Sequence, residues 1–126
     1  MLSSTLLNFN LIDPLSLHRA EESLRCLNLN REFYAAVDSE AYSSTVTSHS
    51  LHLINYPLKS DQIENIFICL IELGVLRREV DGQGLTERVR LTPMGRQILN
   101  RWEDNWPPAS ILMQINHKLR FYWLKH

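Results

Sequence analysis

The sequence predicts a mainly α fold with a small β-hairpin and one extra C-terminal helix, and three observations carry that expectation. An apolar run from Ile63 to Leu73 repeats at helical spacing and stops at Gly74. Two strand-like runs, Val75 to Val80 and Leu85 to Leu91, flank Asp81-Gly82-Gln83-Gly84. An apolar stripe then begins at Ile111, just after Pro107-Pro108.

Asp13-Pro14 opens the first helix candidate. Leu17, Ala20, Leu24 and Leu27 fall at helical spacing on one side, and Arg19, Glu21, Glu22 and Arg25 occupy the other. A short second helical stretch, Arg31 to Val37, carries Phe33 and Tyr34. From Ser39 to Ser50, hydroxyl side chains compete with the helix ladder for backbone partners, so this segment reads as a loop, a frayed helix or both.

Past Pro57, Ser60 or Asp61 is placed to cap a helix, with Glu64 in capping-box spacing from Asp61. Ile63, Ile66, Phe67, Leu70, Ile71 and Leu73 make its apolar face, and Gly74 stands where a C-cap needs positive φ. In the hairpin turn, Asp81-Gly82 and the second glycine, Gly84, supply the positive-φ positions. Thr92 caps the next helix with Pro93 in its first turn, and that helix continues through Met94, Ile98, Leu99 and Trp102. The last helix starts at about Ala109 and carries Ile111, Leu112, Ile115, Leu119, Tyr122 and Trp123 along one stripe. No repeat, low-complexity tract or flexible linker interrupts the chain, so residues 1–126 read as one domain with a core over about 16–105 and a terminal helix over about 109–124.

A hydrophobic content of 44% in 126 residues is enough for one core without staples. The formal charge of −1 excludes the long-range phosphate attraction of a strongly basic domain, so any nucleic-acid binding must use a local patch. That patch is easily located: residues 77–101 carry six arginines against Glu79, Asp81 and Glu87, whereas residues 1–58 carry three basic and six acidic side chains. Cys26 and Cys69 lack CxxC spacing and read as buried small side chains in a reducing compartment. Met1 to Leu7 lacks the basic start and cleavage site of a secretory signal, and no run reaches the roughly eighteen apolar residues of a membrane span. A cytoplasmic protein with no membrane partner is expected.

A capped apolar helix, a glycine stop, an arginine-bearing hairpin and a Thr-Pro-capped helix follow one another. The segments Leu70-Ile71-Glu72-Leu73-Gly74-Val75-Leu76-Arg77-Arg78-Glu79 and Leu91-Thr92-Pro93-Met94-Gly95-Arg96 resemble the winged-helix superfamily of bacterial repressors over roughly residues 59–102. The resemblance implies a winged-helix-like domain with an extra C-terminal helix, in which the helix before the hairpin meets duplex DNA. The nucleic-acid candidates it brings are Arg77, Arg78, Arg88 and Arg90 on the hairpin and Lys59, Gln62 and Asn65 on the helix. The chain departs from that pattern at the helix surface, where Asp61, Gln62, Glu64, Asn65, Ile68, Cys69 and Glu72 sum to −3, offset only by Lys59. On the hairpin, Glu79 and Glu87 compete for the arginines through cross-strand pairs, and Arg96 and Arg101 read as surface charge or ion pairs. The block Gly-Val-Leu-Arg-Arg-Glu-Val-Asp-Gly-Gln-Gly-Leu is also similar to a small uncharacterised cyanobacterial protein family, which implies a cytoplasmic setting in a photosynthetic bacterium and supplies no biochemical activity.

No catalytic constellation emerges, and neither an enzyme nor a cofactor or metal is expected. His49-x-x-His52 lacks neighbouring ligands, the cysteines lie in apolar helical runs, and Gly82-Gln83-Gly84 joins two strands with no helix amino terminus behind it. Asp13, Glu21 and Glu22 read as solvated. The terminal stripe has two readings: docking on the core, favoured for its first turns, or pairing with a copy of itself or another protein through Ile111, Ile115, Leu119, Tyr122 and Trp123. Trp106 adds aromatic area, and Phe121, Tyr122 and Trp123 are expected partly exposed or in contact with a partner. Two functions follow as expectations: a DNA-binding, transcription-related dimer using the hairpin arginines, and alternatively a protein–protein interaction module without DNA binding.

Overall fold

The computed structural model describes residues 13–102 and 107–121. Helix α1 spans Pro14–Cys26; the Asp13 carboxylate accepts from the Ser16 amide at 3.0 Å, and Pro14 occupies the first turn. Ala20 and Leu24 are buried and Leu17 and Leu27 pack beside them. Helix α2, Arg31–Ser39, runs two residues beyond the stretch read from sequence. It buries Phe33, stacked on Phe67 with ring centres 5.6 Å apart, and Tyr34, set edge-on to Phe33. The hydroxyl-rich segment resolves into a short helix, α3 (Ser44–Ser48), because the Ser43 hydroxyl accepts from the Val46 amide at 3.1 Å. A single 3-10 turn, Leu51–Leu53, follows.

Helix α4 spans Ser60–Glu72 and starts differently from expectation. Lys59 is its N-cap, not Ser60 or Asp61; its side chain makes no cap bond, and the cap is closed from one side only by Gln62, whose side-chain oxygen accepts from the Lys59 amide at 2.9 Å. Counting from Lys59 puts Gln62, not Glu64, at the box position. The helix ends as expected: Gly74 takes φ +83°, with the Gly74 amide bonded to the Ile71 carbonyl and the Val75 amide to that of Leu70.

The hairpin pairs β1 (Leu76–Asp81) antiparallel with β2 (Gly84–Leu91), placing Leu76 opposite Leu91, Arg77 opposite Arg90 and Val80 opposite Leu85, with an irregularity between Arg78 and Val80. Of the turn glycines only Gly84 takes positive φ, at +116°, because the Asp81 carboxylate accepts from the Gln83 amide at 2.7 Å and shapes the first half of the turn itself. Tyr42 adds one further rung to the hairpin, exchanging backbone bonds of 2.8 and 3.1 Å with Val89. The base of the hairpin is thereby fixed to the body, while its far end, with Val80 and Leu85 both exposed, projects beyond it.

Helix α5, Pro93–Arg101, is capped by the Thr92 hydroxyl, which accepts from the Gly95 amide at 3.1 Å. Arg31 of α2 donates to the carbonyls of Leu99 and Trp102 at the other end. Helix α6, Ile111–Arg120, packs on α1: Arg25 donates to the carbonyls of Pro107 and Pro108 before α6, and Arg120 donates to the Ser23 hydroxyl at 3.1 Å. Among the described residues, no helix is long and apolar enough to cross a membrane.

Candidate functional site

Hairpin charge is divided between two kinds of arginine. Arg78 reaches both carboxylate oxygens of Glu64 on α4, one of them at 3.3 Å, and donates to the Glu87 carbonyl at 2.7 Å. Arg90 contacts the Glu79 carboxylate at 3.5 Å and the Asp38 carbonyl at 3.2 Å. Both therefore tie the hairpin down to α4 and α2. Arg77 is exposed, with Glu79 3.7 Å away, and Arg88 is exposed with no ion-pair partner among the described residues. Their two charges share the hairpin with the exposed carboxylates of Asp81 and Glu87, so this finger is not a net cationic surface.

Helix α4 presents Asp61, Gln62, Asn65 and Glu72 to solvent. The Gln62 oxygen is engaged in the helix cap and Glu64 in the Arg78 pair. Cys69 is not on this surface: it is fully buried, a correction to its placement among the non-core positions. Gln62, Asn65 and Cys69 line one wall of a groove of about 590 Å³ whose opposite wall includes His117, Lys118 and Phe121 near the end of α6. The middle of α4 thus shares a groove with the end of the terminal helix. Lys59 lies exposed at the start of α4.

Helix α6 overturns the expectation that its first turns dock on the core. Its residues partly or wholly shielded from solvent are Met113, His117 and Arg120, followed by Phe121, whereas the apolar stripe faces outward. Ile111 is 78% exposed, Leu112 68%, Ile115 48% and Leu119 74%. At 100° per residue the stripe and the shielded set fall on opposite sides of the helix, so packing of α6 on α1 leaves the stripe uncovered. Phe121, expected partly exposed, is 7% exposed, with its ring 5.2 Å from His117. Tyr122, Trp123 and Trp106 lie outside the described residues.

Glu21 is a second correction. It is 8% exposed, and its carboxylate accepts from Trp102 Nε1 at 3.0 Å and from Arg101 at 3.2 Å, which joins α1 to the end of α5. Glu22 pairs with His18 at 2.9 Å and Arg96 with Asp38 at 2.8 Å. Both thiols are free; burial pushes Cys69 up to about 12 and raises Cys26 more modestly. Among the described residues, no group of three or more His, Cys, Asp or Glu side chains is placed to hold a metal ion. Sequence reasoning missed Asp38, which receives both Arg90 and Arg96, and the exposed Val80–Leu85 rung at the hairpin tip. Alternation along the strands could have flagged that rung; the role of Asp38 depends on contacts made across more than fifty residues.

A protein-family model described as Npun_F0494-like matches residues 11–120. No curated protein and no solved structure matches the chain.

Proposed function

We propose that this chain, which belongs to the Npun_F0494-like family, is a non-enzymatic winged-helix-like module that works by protein–protein contact through the outward stripe of α6. One observation carries the reading: four large aliphatic side chains on a single helix stand exposed while the opposite side of the same helix packs on α1. Apolar area of this kind, contiguous and turned to water, marks an interaction surface. The order of α4, hairpin and α5 supports the winged-helix part of the reading, and the balance of charge on the hairpin supports protein over phosphate as the partner. The test is an Ile115→Asp, Leu119→Asp variant compared with the wild-type chain in sedimentation and in binding to purified candidate partners. A contact with itself or another protein that is lost in the variant, at unchanged circular dichroism, is expected; contacts indifferent to the variant overturn the reading.

A second reading, phosphate contact in a transcription-related role, is favoured by Arg88, which is exposed with no ion-pair partner among the described residues, and by its neighbour Arg77. It requires a gel shift with random duplex DNA at low salt that disappears when both are changed to Ala, since non-specific phosphate attraction is the least a DNA binder shows.

A further inference from the structure

We infer that the groove between α4 and the end of α6 binds a small alkyl carboxylate of medium chain length, with Lys118 as its counter-ion. The groove encloses about 590 Å³, within the range of small-molecule sites. Its lining divides into two chemistries. Leu27, Leu58 and Ile66 are half-buried against the core and Phe121 is buried, so together they form a fixed and mostly aliphatic wall. The remaining lining is polar, and its charge has one sign: Lys118 is present, and no Asp or Glu is among the described residues that line the groove. The site does not use the outward stripe of α6, so the inference stands apart from the functional reading above.

The polar groups of the lining are left with hydrogens to donate. The Gln62 oxygen is taken by the Lys59 amide at 2.9 Å, which leaves the Gln62 NH2 group for the groove. Asn28 donates to the Tyr56 hydroxyl at 2.6 Å, so the Tyr56 O–H is left to donate in turn. Lys118 adds an ammonium with no ion-pair partner among the described residues. Burial keeps the Cys26 and Cys69 thiols protonated, and they bring no negative charge. One cation and a set of donors beside an aliphatic wall are complementary to one negative charge, carried on acceptor oxygens at the end of an apolar chain. Other ligand classes fit less well. A cation would be repelled by Lys118, and a nucleotide or diphosphate would set two or more charges against a single lysine. A pure hydrocarbon would displace water from the donors and return them no acceptor.

Calorimetric titration of the full chain with octanoate tests it. Saturable binding is expected. Hexanoate should bind about tenfold more weakly, since each buried methylene counts for about fourfold. Octanol, which keeps the chain and lacks the charge, should also bind about tenfold more weakly. Lys118→Gln is expected to weaken octanoate about tenfold. Asn65→Glu, on the α4 wall of the groove, is expected to abolish binding by setting a carboxylate beside that of the ligand. Arg88→Gln removes a cation outside the groove and is expected to change nothing. All three positions are exposed, so circular dichroism of the variants should match the wild type. The inference is overturned by an absence of octanoate binding up to about 5 mM, by octanol binding as tightly as octanoate, or by equal weakening in Arg88→Gln and Lys118→Gln. Binding that survives Asn65→Glu and is lost in Ile115→Asp also overturns it, by assigning the ligand to the outward stripe of α6.

Discussion

Arg78 on β1 and Glu64 on α4 form a two-point ion pair that couples the hairpin to the preceding helix, and the same guanidinium also donates to the Glu87 carbonyl of the neighbouring strand. Both side chains are less than one-third exposed, so water screens the pair only partly. A double-mutant cycle with Glu64→Ala and Arg78→Ala, followed by urea unfolding, should return a coupling of about 1 kcal/mol, at the upper end for a pair of this exposure. Additive losses would show that the two side chains do not act together.

The four hairpin arginines should separate in stability measurements before any ligand is considered. Arg90→Ala removes contacts with Asp38 and Glu79 and is expected to lower the melting temperature by several degrees, equivalent to about 1 kcal/mol. Arg88→Ala removes no side-chain ion pair and is expected to leave it within about 1 °C. Equal losses at both positions would contradict the division between anchoring and free arginines.

Local signals account for what sequence reading achieved. Gly74, Thr92-Pro93 and the Asp81-to-Gly84 turn each satisfy backbone groups within a few residues, so the helix ends and the hairpin were legible. The shift of the α4 cap from Ser60 or Asp61 to Lys59 came from a one-residue offset that local chemistry does not fix, since Asp61 still accepts from the Gln62 amide at 3.0 Å. The site was less legible for a different reason. Whether Glu21 is solvated or buried depends on Arg101 and Trp102, some eighty residues away, and whether the stripe of α6 faces in or out depends on which side α1 occupies. Helical periodicity groups Ile111, Ile115 and Leu119 together but carries no information about what lies opposite them.

The two thiols are expected to differ in reactivity. Burial raises the pKa of both, Cys69 further, and Cys69 is sealed from solvent while Cys26 is half-buried. Thiolate being the reacting species, iodoacetamide at pH 8 should modify Cys26 at least tenfold faster than Cys69 in the native chain, with the difference vanishing in urea. Mass spectrometry of timed samples reads both rates, and comparable native rates would mean that the groove between α4 and the end of α6 opens readily enough to expose Cys69.

Asp13 supplies a pH-dependent contribution with a defined sign. The Ser16 hydroxyl, at 2.8 Å, and its amide, at 3.0 Å, donate to the Asp13 carboxylate and hold its pKa below the ordinary value. A depressed folded-state pKa contributes stability above the unfolded value and loses it as pH falls through the folded one. The melting-temperature advantage of the wild type over Asp13→Asn should therefore be present at pH 6 and shrink below the usual carboxylate range. A difference independent of pH would assign the cap to shape and not to charge.

Gly95 should reverse the usual effect of a helix glycine. In an open helix, replacing glycine by alanine adds about 1 kcal/mol of stability. Here a Cβ would stand 2.5 Å from Leu91 Cδ1 and 2.6 Å from the Val75 carbonyl oxygen. The leucine can turn aside, but the carbonyl cannot: it accepts from the Thr92 amide at 3.0 Å, in the backbone that joins α4 and the hairpin to α5. Moving α5 outward is the remaining response, and it would disturb Ile98 and Leu99 in the core. Gly95→Ala is accordingly expected to destabilise the chain by about 2–3 kcal/mol. Gly82→Ala, where a Cβ meets nothing within 4 Å and φ is not positive, should change stability by less than about 0.5 kcal/mol. Urea midpoints of the two variants decide the matter, and a neutral Gly95→Ala would mean that α5 does not approach the base of the hairpin this closely.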